Sequence, residues 1–173
     1  MRTRLLVAFL SVLTLTAQDS TTADDWRRWL NRGVEAYKSA RFQDAVEYFQ
    51  KSVDLSPNEV SPHLYLATEL MSQYIWGNLS PENLDLQHRA VTEFNRALQL
   101  DANNLSALQS LASVNYQQAQ HIQDDEEKLR KLDETVPLFR RVLAVDPRNK
   151  EAYYLLAVID WTKADDDLFA ARV

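Results

Sequence analysis

Three leucine–alanine steps, Leu66-Ala67, Leu111-Ala112 and Leu156-Ala157, stand 45 residues apart in both intervals. Other columns keep the same period: Phe49, Phe94 and Phe139; Leu55, Leu100 and Val145; Pro57, Ala102 and Pro147. A period of this length is the signature of one supersecondary unit stacked on copies of itself. Within each unit the apolar residues recur at i, i+3, i+4 and i+7, as in "WLNRGVEAY" and "AVEYFQKSVDL", which is the spacing of amphipathic helices. Two glycines and five prolines in 173 residues leave little material for the tight turns of a β protein.

Each unit closes on a similar phrase: "DLSPN" at 54–58, "QLDANN" at 99–104 and "AVDPRN" at 144–149. A proline or short polar residue stops a helix there, and a following Ser or Asn can cap the next one. Ser61 before Pro62, Asn104 before Leu105, and Asn149 before Lys150 are the expected openings. The unit is therefore a helical hairpin followed by a short turn.

Residues 26–58, "WRRWLNRGVEAYKSARFQDAVEYFQKSVDLSPN", resemble a tetratricopeptide repeat, a helix-turn-helix unit of about 34 residues. Gly33 falls on the small position of the first helix and Tyr37 near its end; Ala45, Phe49 and Pro57 fall on the small, aromatic and proline positions that follow. Arg32 departs where leucine is preferred, and Ser52 replaces an alanine. The resemblance implies an all-α, right-handed solenoid of antiparallel hairpins, with repeats at about 26–59, 60–104 and 105–149 and a partial fourth at 150–173. It also implies a protein-interaction scaffold, similar to exported bacterial members of that family.

The repeats are not of equal length. The small positions of the two helices are 12 residues apart in the first unit (Gly33 to Ala45), but 23 apart in the next two (Ala67 to Ala90, Ala112 to Thr135). Eleven extra residues thus lie at the tip of each of two neighbouring hairpins. In the first, "YIWGNLSPENL" (74–84), Gly77 can end the first helix with a positive φ, and Ser80-Pro81 can cap and start the second. In the second, "QHIQDDEEKLRKL" (120–132), acidic residues precede basic ones, giving a solvated helical extension with pairs such as Glu126 with Arg130. Pro137 makes that helix start late, near Thr135, or kink.

Insertions in stacked repeats are often binding surfaces. Trp76 either packs on the neighbouring insertion or contacts a partner. The family register places Leu30, Val34, Tyr37, then Leu64, Thr68, Met71, then Gln109, Ser113, Tyr116, and finally Tyr154, Val158, Trp161 along a concave groove. The stripe of Tyr37, Met71, Tyr116, Tyr154 and Trp161 either receives a peptide or belongs in part to the core between repeats.

The first residues, "MRTRLLVAFLSVLTLTA", place Arg2 and Arg4 before an uncharged stretch from Leu5 to Ala17. A basic head, a short apolar run and a small terminal residue describe a secretory signal peptide at 1–17. An uncleaved membrane anchor is the alternative, although the run falls short of the roughly 20 residues a spanning helix needs. A polar linker at 18–24 and a repeat domain at 25–173 complete the expected organisation, with the mature chain periplasmic or secreted. Without Arg2 and Arg4, the 19 basic residues become 17 against 25 acidic ones. That balance argues against nucleic acid and an anionic membrane surface as partners.

There is no cysteine, so stability rests on packing. His63, His88 and His121 lack companions at metal-ligand spacing, and "DDD" at 165–167 lacks the glycine and final glutamate of a calcium loop. No phosphate loop or activated nucleophile is present. The expectation is a binding protein with no metal, cofactor or enzyme activity, taking a protein or peptide. The alternatives are a self-associating structural module or an accessory part of a larger enzyme.

Overall fold

A computed structural model describes the backbone over residues 16–170 and the side chains over residues 25–164. Seven α-helices and no strand occur among the described residues: α1 (Thr16–Lys38), α2 (Phe42–Leu55), α3 (Val60–Gln73), α4 (Pro81–Leu100), α5 (Leu105–Gln120), α6 (Asp125–Val145) and α7 (Lys150–Ala170). The signal-peptide reading of 1–17 lies almost wholly outside them. Helix α1 runs back through 18–24, the stretch expected as linker, which contains no Gly or Pro to stop it.

The chain divides into two compact units, residues 1–58 and 59–173. In the first, α1 and α2 form one hairpin. Gly33 brings them together: a Cβ there would overlap the Phe49 ring, so only glycine permits this approach. Both departures from the repeat pattern find their cause here. The buried Ser52 hydroxyl donates to the Trp26 carbonyl at 2.8 Å. The Arg32 guanidinium lies 4.7 Å from the centre of the Trp29 ring, and the Lys51 ammonium lies 4.6 Å from it.

In the second unit α3 pairs with α4 and α5 with α6, while α4 and α3 also pack on α5 and α7 packs on α6. The periodic positions are the core: Leu66, Ala67, Leu70, Ala90, Phe94, Leu108, Ala112 and Phe139 are all buried. The turns between its hairpins repeat as well. Asp101 accepts from the Asn103 amide and the Asn104 side chain, and Asp146 accepts likewise from Arg148 and Asn149. Asn104 and Asn149 then accept from the amides of Ala107 and Ala152, giving the caps the sequence predicts. Arg141 fastens α6 to this corner by donating to the Ala102 carbonyl at 2.7 Å, and Lys163 ties α7 to Asp133 of α6 at 2.6 Å.

Ser61 is not a cap. Helix α3 starts two residues earlier, with Glu59 at the cap and Val60 as its first residue; Pro62 still sits in the first turn, where its missing N–H has no helical partner to lose. Helix α6 neither starts late nor waits for Thr135; it passes through Pro137 from Asp125 to Val145, capped at its start by Asp124 accepting from the Glu127 amide. Loss of one ladder bond at proline is offset by about three turns of helix on its N-terminal side.

Candidate functional site

Two surfaces bring the sequence-derived residues into view. The first is the pair of lengthened tips, both in the second unit. Helix α3 ends at Gln73, before the point expected; Gly77 does take a positive φ of 80°, but inside the loop rather than at the helix end. Ser80 caps α4, accepting from the Asn83 amide, and Pro81 opens the helix as predicted.

The residue that holds this loop is one that sequence reasoning passed over. Asn83, only 5% exposed, accepts from the Ile75 amide at 2.8 Å and donates to the carbonyls of Ile75 at 2.9 Å and Asn78 at 2.8 Å. Its amide thus replaces the backbone partners that the loop lacks. The only sequence signal is a second Asn, three residues after the cap.

Trp76 sits on top of that loop. Its ring stacks on His121 of the neighbouring tip, with centroids 5.6 Å apart and planes 22° apart, and meets Tyr74 edge-on at 4.9 Å. The His121 Nδ1 is 2.8 Å from the Gln117 carbonyl, which fixes the imidazole under the indole. Packing between insertions is therefore real, and 36% of Trp76 still faces solvent. At the second tip, Arg130 pairs with Glu127 and Glu134 rather than with Glu126, since 127 and 134 flank it on the same helix face.

The second surface is the face shared by α5 and α7. Gln109 and Ser113 of α5 line a shallow depression, open to solvent, with Asn149, Glu151, Ala152, Phe139 and Val142. The room it encloses is about 10 Å³, enough for a water and far below the roughly 300 Å³ of small-molecule pockets. One turn further along each helix lie Tyr116 and Tyr154. Burial raises the Tyr116 phenol above its ordinary 10.0, and the nearby Tyr154 phenol pushes in the same direction. Tyr154 is 67% exposed and Trp161, two turns further along α7, is 71% exposed.

The remaining stripe residues stand in less open settings. Met71 is half-buried in α3. Tyr37, in the first unit, is exposed and meets Phe42 edge-on at 5.9 Å across its own hairpin turn. His63, the buried histidine, is 2.5 Å from the Glu93 carboxylate, so it serves to join α3 to α4. Among the described residues, no cluster of three or more His, Cys, Asp or Glu could hold a metal ion, and no helix is long and apolar enough to cross a membrane.

Comparison with known proteins agrees with the repeat architecture. Residues 26–59 match the tetratricopeptide repeat family. The first tetratricopeptide domain of Spaghetti (RPAP3), bound to the HSP90 peptide SRMEEVD, aligns with a TM-score of 0.59 and 19% identity over 82% of this chain and 97% of that one. The second such domain of human RPAP3, in complex with the HSP70 peptide SGPTIEEVD, aligns with a TM-score of 0.56 and 18% identity over 82% of this chain and 97% of that one. A thermophilic tetratricopeptide protein of Thermus thermophilus gives a TM-score of 0.60 at 15% identity, over 82% of this chain and 68% of that one. Identities this low carry the fold alone, and the fold is an all-α array of tetratricopeptide-type hairpins. No curated protein matches the chain by sequence.

Proposed function

We propose that this protein is an exported scaffold that binds a peptide or protein segment along the face of α5 and α7. The observation that carries the reading is the row of Tyr116, Tyr154 and Trp161 beside the Gln109–Ser113 depression: two of its three rings are more than 60% exposed. Aromatic side chains give large contact area with few rotors to freeze, and Gln109, Ser113 and Glu151 can bond a peptide backbone beside them. Domains of similar fold hold short peptides, as in the HSP90 and HSP70 peptide complexes, which supports the same mode here.

The test is selection from a displayed random-peptide library on the immobilised chain, followed by titration of the recovered peptides into Tyr116→Ala and Tyr154→Ala. Each variant is expected to weaken binding by about tenfold or more, since a buried aromatic anchor contributes about 2 kcal/mol. Peptides that bind both variants as they bind the parent would overturn the assignment. Export through cleavage near Ala17 rests on the basic-then-apolar order of residues 2–17, and N-terminal sequencing of the protein recovered from the cell exterior or periplasm checks it.

A further inference from the structure

The lengthened tip at 74–84 is built rather than slack. The Ile75 carbonyl accepts from the Asn78 amide at 3.2 Å, closing a turn whose third residue is Gly77, the place where a positive φ is wanted. The buried Asn83 amide then bonds Ile75 and Asn78 to the first turn of α4. Yet the side chains carried on this frame face water: Ile75 is 62% exposed, Leu79 78% and Leu84 41%. Each is one of the bonded residues or stands next to one in sequence, so they gather with the half-open Trp76 at one tip. Single exposed leucines are ordinary; a cluster of large apolar side chains held outward by a fixed loop is the mark of an interaction site.

We infer that this tip is the docking site for an apolar segment of another protein flanked by lysine or arginine. Charge selects that partner. The stack of Trp76 on His121 brings the second tip, and with it the start of α6, alongside the apolar cluster. Of the charged residues that open α4 and α6, Asp85 pairs with Arg89 and Glu127 with Arg130, while Arg130 and Lys131 both hold Glu134. Glu82, Asp124, Asp125 and Glu126 are exposed and stand outside any ion pair among the described residues, against one cation in the same position, Lys128. Neither α3 nor α5 adds an exposed charge. The positive poles of the two helix N-termini, about half a charge each, offset only part of this excess. An apolar cluster with an acidic flank repels acidic segments and anionic lipid, and it attracts a cationic apolar segment. Because Asn83 fixes the loop beforehand, little ordering is left to oppose binding. The site does not rest on the peptide reading of α5 and α7: His121 lies about three turns beyond Gln109 along α5, and the two surfaces share no residue.

The probes are a labelled amphipathic peptide of leucine, tryptophan and lysine, its counterpart with glutamate for every lysine, and vesicles of zwitterionic phosphatidylcholine. The full chain is expected to bind the lysine peptide alone, with amide shifts at 75–84 and affinity falling as salt rises. Ile75→Ser combined with Leu79→Ser should weaken that binding by about tenfold or more and leave the thermal melt unchanged, because both side chains are exposed in the free protein. Glu82→Gln with Asp125→Asn and Glu126→Gln should weaken it by about tenfold at low salt and flatten its salt dependence. Equal binding of the two peptides overturns the proposal, as does binding of neither. So does a lysine peptide that holds the Ile75→Ser, Leu79→Ser protein as tightly as the parent or shifts 109–116 instead of 75–84. Vesicles that take up the parent chain would assign the tip to lipid and overturn it as well.

Discussion

The hairpin tip of α1 and α2 and that of α3 and α4 solve one problem with different means. The short tip takes three residues, 39–41, and satisfies its backbone from within. Helix α1 ends with the Arg41 amide bonded to the Ala36 carbonyl and the Ala40 amide to the Tyr37 carbonyl, with Ala40 at φ 55°. That is a Schellman closure, with alanine where glycine is the cheaper residue. The longer tip, residues 74–80, bonds back to the end of α3 through the Tyr74 amide on the Met71 carbonyl, and it borrows Asn83 for three further bonds and His121 for its roof. The difference teaches that added length at a tip is tolerated when one side chain takes over the orphaned backbone groups.

The comparison can be broken most forcefully at Asn83. Asn83→Leu leaves the Ile75 amide and two carbonyls without their partner, and thermal or urea unfolding should show a loss of about 2–3 kcal/mol. The short tip has no residue whose loss should cost as much. Trp76→Ala removes the stack on His121 and the edge contact with Tyr74, for about 1 kcal/mol. Amide exchange should rise at 74–80 in that variant and stay unchanged at 39–41.

At the short tip the effect reverses sign. Ala40→Gly relieves a left-handed alanine and should stabilise the protein by about 0.5–1 kcal/mol, read as a raised unfolding midpoint. The smallest change is expected at Glu69, in the last two turns of α3 beneath the long tip. Burial raises its carboxyl above the ordinary 4.5, against weaker opposing bonds from Gln73 and Ser72. A carboxyl whose folded pKa is raised lends stability below its unfolded pKa and loses it as pH climbs through the folded value. Glu69→Gln should therefore be more stable than the parent at pH 7, and unfolding curves should converge as pH falls toward 4.

Much of this was legible in order along the chain. The 45-residue period located every helix pair of the second unit, the Ser80-Pro81 start, and the caps at Asn104 and Asn149, because these depend on residues adjacent in sequence. Where local signals competed, the reading slipped. Ser61-Pro62 carries the local signal of a helix start, yet α3 has already begun at Val60 with Glu59 at its cap. Pro137 looked like a boundary, yet a helix already begun at Asp124 carries through it. Glu126, Glu127 and Glu134 all come within reach of Arg130 by sequence spacing, and only side-chain placement selects the last two.

The sequence by itself determined that this is an all-α repeat array, where its hairpins turn, and that two neighbouring tips are lengthened by equal amounts. Periodicity and helix caps are local codes, so a single chain suffices to read them. The tertiary structure decided what those tips rest on and which aromatic residues face outward. Trp76 meets His121 across 45 residues, Asn83 turns back eight residues to Ile75, and Tyr116 lies beside Tyr154 while Trp161 stays open. Such contacts depend on how hairpins pack, and packing distance is not written in any one helix's spacing.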